Sequence, residues 1–159
     1  MFARFGARVT LIEAQPRLLP AAEPESGDLL RAMFTREGID VRTGHPAARV
    51  SHDGRQFTVQ LNGDTLTAAQ LLVATGRRTR LAELGVAALG VDAAARTIPV
   101  DDRMRAADGL WAIGDITGVS AHTHMAMYQA GIAVRDILGA GGPPADYRAV
   151  PGVTFTDPE

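Results

Sequence analysis

The chain contains no cysteine and no lysine. Without thiols it can form no disulfide, present no thiolate nucleophile and offer no sulfur ligand to zinc or an iron–sulfur cluster, and its redox compartment leaves no mark on it. All 16 cationic residues are arginine, which together with abundant alanine suggests a GC-rich bacterial genome. A charge excess is missing too. The net charge of -2 and a pI near 6.1 supply no long-range field for nucleic acid, and no basic run suits a membrane surface. No stretch approaches the roughly 18 apolar residues of a membrane span, and Met1 to Ala7 is too short and too polar for a secretory leader. A cytoplasmic location is expected, with small-molecule or protein partners and neither nucleic acid nor membrane.

What is present suffices for a globular α/β fold. A length of 159 residues with 46% hydrophobic content can bury a real core, so disorder is not the default. Arg8-Val9-Thr10-Leu11-Ile12-Glu13 is a short β-branched run after Gly6 that reads as a buried strand ending on an acid. Glu23 to Asp28 is an acidic, proline-bearing helix start. Leu29, Leu30, Met33 and Phe34 follow at helical spacing, closed by Arg36 and Gly38, and Ile39 to Val41 opens another strand. From Val50 to Leu66 the pattern alternates, with Phe57, Val59 and Leu61 on one face and Asp53-Gly54 and Asn62-Gly63 as turns, which predicts an antiparallel meander.

Leu71 to Gly76 is a continuous apolar run expected to form a strand buried on both faces, followed by an arginine-rich loop through Arg80. Ile98-Pro99-Val100 is a weak strand signal, and Gly109 to Asp115 a strong one ending in a Gly-Asp turn. Thr123 to Leu138 predicts a helix with Met125, Tyr128 and Ile132 facing inward, then Val134 and Ile137. Gly139 to Pro144 has linker composition, and Val153-Thr154-Phe155 looks like the beginning of a further strand.

The Gly114-Asp115 turn carries the sharpest chemical signal. Gly114 lacks a side chain and lets a ligand approach, while the Asp115 carboxylate can accept hydrogen bonds from vicinal hydroxyls, as on a sugar-alcohol chain. The free amides at the start of the next helix, near Thr123 to Ala126, would favour the negative charge of a reduced flavin ring. His122 and His124, two residues apart, are expected on different sides of that helix, and they lack the cysteines or acids a metal centre would need.

Gly109-Leu110-Trp111-Ala112-Ile113-Gly114-Asp115 resembles the second FAD fingerprint of the pyridine nucleotide-disulfide oxidoreductases, the family of glutathione reductase, dihydrolipoamide dehydrogenase and mercuric reductase. The resemblance implies that Asp115 binds the ribityl chain of FAD. It also implies that the backbone of Thr123 and Ala126 meets the flavin ring, with Ala121 and His122 beside them. Arg105 stands where the family usually has threonine. Ala74-Thr75-Gly76-Arg77-Arg78 resembles the connection from the NAD(P) domain back to the FAD domain, where Gly76 and Arg77 would approach the cofactors; Thr79 stands where proline is common. Val9 to Glu13 resembles the strand whose terminal acid bonds the ribose of NAD, a role for Glu13 that would disfavour the extra phosphate of NADP. The alternative for Glu13 is an ordinary surface acid. Pro151 to Glu159 resembles the start of the family's C-terminal dimerisation domain.

These matches are collinear with the family and imply an incomplete Rossmann-like NAD(P)-binding domain with an antiparallel meander over 1–76. The C-terminal part of the FAD-binding domain would then occupy 77–145, with the dimerisation segment over 146–159. The expected function is that of an internal fragment of an FAD-dependent NAD(P)H oxidoreductase, homodimeric as a whole, that uses FAD with NAD or NADP and passes electrons from the reduced nucleotide, NAD(P)H, through FAD to an unknown acceptor. Both glycine-rich nucleotide turns, a redox cysteine pair and a catalytic histidine are missing, so no residue is assigned as catalyst. The competing expectation is a non-catalytic nucleotide-binding or oligomerising remnant.

Overall fold

The computed structural model describes residues 1–157; Pro158 and Glu159, the last of the segment expected to start the dimerisation domain, lie outside the described residues. The chain divides into two compact units, Met1–Ala74 and the remainder from Thr75.

In the first unit a 3-10 turn, Ala3–Phe5, ends at Gly6 in the left-handed region, and β1 (Thr10–Glu13) follows. Between β1 and α1 (Pro24–Arg36) the chain folds round the Arg17 guanidinium, which donates to the carbonyls of Ala22 and Pro20, each at 2.8 Å. α1 starts with proline in its first turn, beside Glu25, and ends with Arg36, in keeping with the helix dipole. It buries Gly27 and Leu30 and leaves Leu29 exposed. A Cβ on Gly27 would stand 2.4 Å from the Leu18 carbonyl oxygen, so glycine is what lets the preceding loop lie on the helix. β2 (Asp40–Thr43) pairs parallel to β1, with Glu13 opposite Thr43, which makes β1–α1–β2 a single crossover unit.

The expected meander is present as β3 (Arg49–His52), β4 (Phe57–Leu61) and β5 (Asp64–Ala68), antiparallel in that order. Its inward face carries Val59 and Leu61, as the alternation predicts. Arg42 of β2 ties to it by an ion pair with Asp64 at the start of β5, and pairs within its own strand with Asp40 at 2.9 Å.

The second unit has two small cores. One joins Leu81, Val86, Ile98 and Ala112; the other joins Met104, Ile132 and Ala133. β6 (Arg105–Ala107) and β7 (Leu110–Trp111) form a hairpin across Asp108-Gly109, and a 3-10 turn over Gly114–Thr117 leads towards α2 (Thr123–Ile137).

Five sequence expectations need correction. The run from Leu71 to Gly76 has no regular secondary structure and is in no sheet, with Leu72 82% exposed, because no described strand lies along it to complete a ladder. The strand expected over Gly109 to Asp115 shortens to two residues. The Ala112 amide turns to the Met104 carbonyl at 3.0 Å, and the Ile116 carbonyl takes the Ile98 amide at 2.8 Å, so the backbone bonds are satisfied in loops. Neither Ile98 to Val100 nor Val153 to Phe155 forms a strand, although Ile98 is buried as a core anchor. On α2 the inward stripe is Met125, Gln129, Ile132 and Ala133, while Tyr128 sits at its margin and Val134 and Ile137 face outward. Among the described residues no helix is long and apolar enough to cross a membrane.

Candidate functional site

Gly114 is buried at φ 76°, a conformation that costs a side-chain-bearing residue about 1–2 kcal/mol. A Cβ there would also lie 3.3 Å from the Cβ of Ala126, so the turn and the first turns of α2 pack directly on one another. This close approach serves helix packing as well as any ligand. Both peptide groups at Gly114 are bonded. Its amide donates to Gln129 Oε1 at 2.6 Å, and its carbonyl accepts from Thr117 Oγ1 at 2.8 Å.

The neighbouring Asp115 carboxylate is paired through Oδ2 with Arg77 Nη1 at 2.7 Å, and Arg77 Nη2 donates to the Ala121 carbonyl at 3.2 Å. Gly76, at φ 103°, precedes that arginine. Gly76, Arg77, Gly114, Asp115 and Ala121 are thus brought to one place by the loops of the second unit. Half-exposed, the Asp115 side chain keeps Oδ1 for a further donor.

His122 is the N-cap residue of α2, with extended backbone and no side-chain cap bond. Its Nδ1 meets Ser120 Oγ at 2.8 Å, and its ring stacks on that of His124, centroids 5.2 Å apart. The spacing of two had predicted different sides of the helix. Because His122 precedes the helix, its ring is free to fold back over the first turn, and the rings meet. His124 Nε2 lies 3.0 Å from the Pro151 carbonyl. Thr123 opens the helix, and the amides of Met125 and Ala126 turn back to the His122 carbonyl. An uncapped helix end beside a carboxylate fits a ligand with hydroxyl donors and a group that gains negative charge, as a flavin does.

Glu13, in the first unit, closes β1. Its Oε1 accepts the Gln15 amide at 2.8 Å and its carbonyl accepts the His45 amide. One carboxylate oxygen is therefore engaged in shaping the loop after the strand.

Two features were not foreseen. Gln129 is fully buried in the apolar stripe of α2, where its phase, four residues after Met125 and three before Ile132, is the signal that could have revealed it. Arg105 makes a two-pronged pair with Asp136 at 2.5 and 2.7 Å, and the Trp111 indole donates to the same carboxylate at 2.8 Å. The Arg105 guanidinium first, then the Trp111 N–H, hold the Asp136 carboxyl below the ordinary carboxylate range.

A β–α–β crossover whose first strand ends in an acid and a glycine–aspartate turn packed on a helix start are features of α/β proteins that bind dinucleotide cofactors. The comparisons narrow that class. The family model described as pyridine nucleotide-disulphide oxidoreductase matches residues 1–130, and the chain belongs to this family. It is 34% identical to a mercuric reductase from Bacillus cereus and 36% identical to a dihydrolipoyl dehydrogenase from Geobacillus stearothermophilus, in each case over 99% of the chain. It spans 26% and 35% of those two proteins. The crystal structure of LpdA from Mycobacterium tuberculosis superposes with a TM-score of 0.86 at 27% identity, over 98% of this chain and 35% of that one. Members of the family use FAD and NAD(P)H.

Proposed function

We propose that the chain supplies part of an FAD-dependent oxidoreductase that passes electrons from NAD(P)H through FAD to an acceptor of unassigned identity. The observation that carries this reading is Asp115, held beside the uncapped start of α2 with one carboxylate oxygen open. In this reading Asp115 accepts hydrogen bonds from the ribityl hydroxyls. Gly114 keeps the approach clear, and the backbone at Thr123 and Ala126, with Ala121 and His122, lines the flavin ring. Arg77, following Gly76, fixes the carboxylate and offsets its charge, so that a flavin gaining an electron pair is not repelled by an unpaired anion. Glu13 bonds the ribose of NAD and disfavours NADP. Bound FAD supplies the hydride chemistry, and the chain's own residues bind, orient and shield it.

The domain assignment belongs to the same proposal. Residues 1–76 act as part of the NAD(P)-binding domain, 77–145 as the C-terminal part of the FAD-binding domain, and 146–159 as the start of a dimerisation domain in a homodimeric whole. Titration of the purified chain with FAD tests it. Flavin absorbance retained through gel filtration and a raised melting temperature are expected, and Asp115→Ala should lose both. A wild-type chain that neither retains flavin nor shifts its melting temperature with FAD or NADH would overturn the reading in favour of a non-catalytic scaffold.

A further inference from the structure

The buried amide of Gln129 is an expensive choice for an apolar stripe. A leucine or methionine would fill the same phase of α2 without the cost of taking an amide out of water. That cost is met by complete bonding. The Gly114 amide can only donate, so the atom facing it at 2.6 Å is Oε1, and this sets the amide orientation. Nε2 then points to hydroxyls, donating to Tyr147 Oη at 3.0 Å and lying 3.4 Å from Thr117 Oγ1. Tyr147 places its own proton on Met104 Sδ at 3.6 Å, which leaves its oxygen free to accept from Gln129.

The consequence reaches Asp115. With Gln129 on its amide and Thr117 on its carbonyl, Gly114 has both flanking peptide planes fixed, and the second of those planes leads directly into Asp115. Were Gln129 apolar, the buried Gly114 amide would have no partner, and a glycine peptide rotates readily to find one. Tyr147 belongs to the stretch that follows the glycine-proline linker. That stretch is held by the Ala145 amide on the Asp102 carbonyl and the Asp146 amide on Tyr128 Oη, both at 2.8 Å, and by an edge contact between the two tyrosine rings.

We propose that Gln129 is a positioning residue for the flavin contact at Asp115, and that Tyr147 orients its amide so that docking of residues 145–147 raises flavin affinity. This rests on the FAD reading above. The test is FAD titration of the full chain as wild type, Gln129→Met, Gln129→Glu and Tyr147→Phe, with a melting curve for each. Gln129→Met should weaken FAD binding about tenfold, corresponding to one buried hydrogen bond, and Tyr147→Phe about threefold. Gln129→Glu keeps an acceptor for the Gly114 amide, and the Tyr147 hydroxyl can turn from Met104 Sδ to donate to it while Thr117 Oγ1 stays on the Gly114 carbonyl. The glutamate variant should therefore bind FAD more tightly than the methionine variant while melting at a lower temperature. A purely structural role would rank the two variants alike in both measurements, and that result overturns the proposal. So does a Tyr147→Phe chain that binds FAD like wild type, which decides the matter even if Gln129→Met fails to fold. Wild-type chain without FAD affinity removes this proposal together with the flavin reading, whereas flavin binding lost in Asp115→Ala but untouched in Gln129→Met removes this one alone.

Discussion

At Asp115 one carboxylate oxygen is held by Arg77 and the other is open, so affinity for a ligand and stability of the fold are separable there. The ion pair is largely solvent-exposed and contributes only about 0–1 kcal/mol to stability. Arg77→Met should therefore leave the denaturation midpoint nearly unchanged in urea, while FAD binding falls several-fold because the carboxylate is no longer oriented. Gly114 behaves in the opposite way. Gly114→Ala combines positive-φ strain with a Cβ pressed on Ala126, and a loss of about 1–3 kcal/mol is expected by urea denaturation. Equal stability of that variant would mean that the turn can relax off the helix.

Among the elements, α1 shows two glycine effects of opposite sign. Alanine is favoured over glycine inside a helix by about 1 kcal/mol, so on propensity alone Gly27→Ala would stabilise α1. The 2.4 Å approach of its Cβ to a backbone oxygen reverses that expectation, because the Leu18 carbonyl belongs to a loop already tied by Arg17 and cannot give way cheaply. Net destabilisation in thermal unfolding is the predicted outcome. In α2 the last turn is pinned to the β6–β7 hairpin through Asp136. Its carboxyl is lowered in the folded chain, so the associated stability is present above the unfolded value near pH 4 and disappears as acid is added through the lower folded value. Melting temperatures measured from pH 6 to pH 2.5 should fall less steeply for Asp136→Asn than for wild type. Parallel acid limbs would show that Asp136 is not linked to folding.

For the whole molecule, the exposed stretch from Leu72 to Arg78, where the two compact units are joined, has no sheet or helix to protect its backbone. Trypsin should cut first at Arg77 or Arg78 and yield fragments matching the two units, read by mass spectrometry. Bound FAD should slow the cut at Arg77 more than that at Arg78, since only Arg77 is engaged with Asp115. Adjacent exposed Leu72 and Val73 form an apolar patch of the kind that promotes self-association, and Leu72→Glu should lower light scattering at high concentration without changing the fold.

Local periodicity was sufficient for β1, α1, the meander and α2, because each is specified by its own alternation, helical spacing and end residues. The fingerprint around Gly114-Asp115 was equally legible, since a glycine conformation and an acid at a fixed offset are local properties. Tertiary structure decided what depends on distant partners. Leu71 to Gly76 has every mark of a buried strand, yet a strand exists only where another lies alongside, and here none of the described strands does. Gln129 carries no local signal of its partners, and only the fold brings Gly114, Thr117 and Tyr147 together on its amide. Asp115 could be named from its motif, but its pairing with Arg77 comes from the loops that bring the two segments together. Hydrogen bonds of this kind require a closed geometry that no single segment of the sequence encodes.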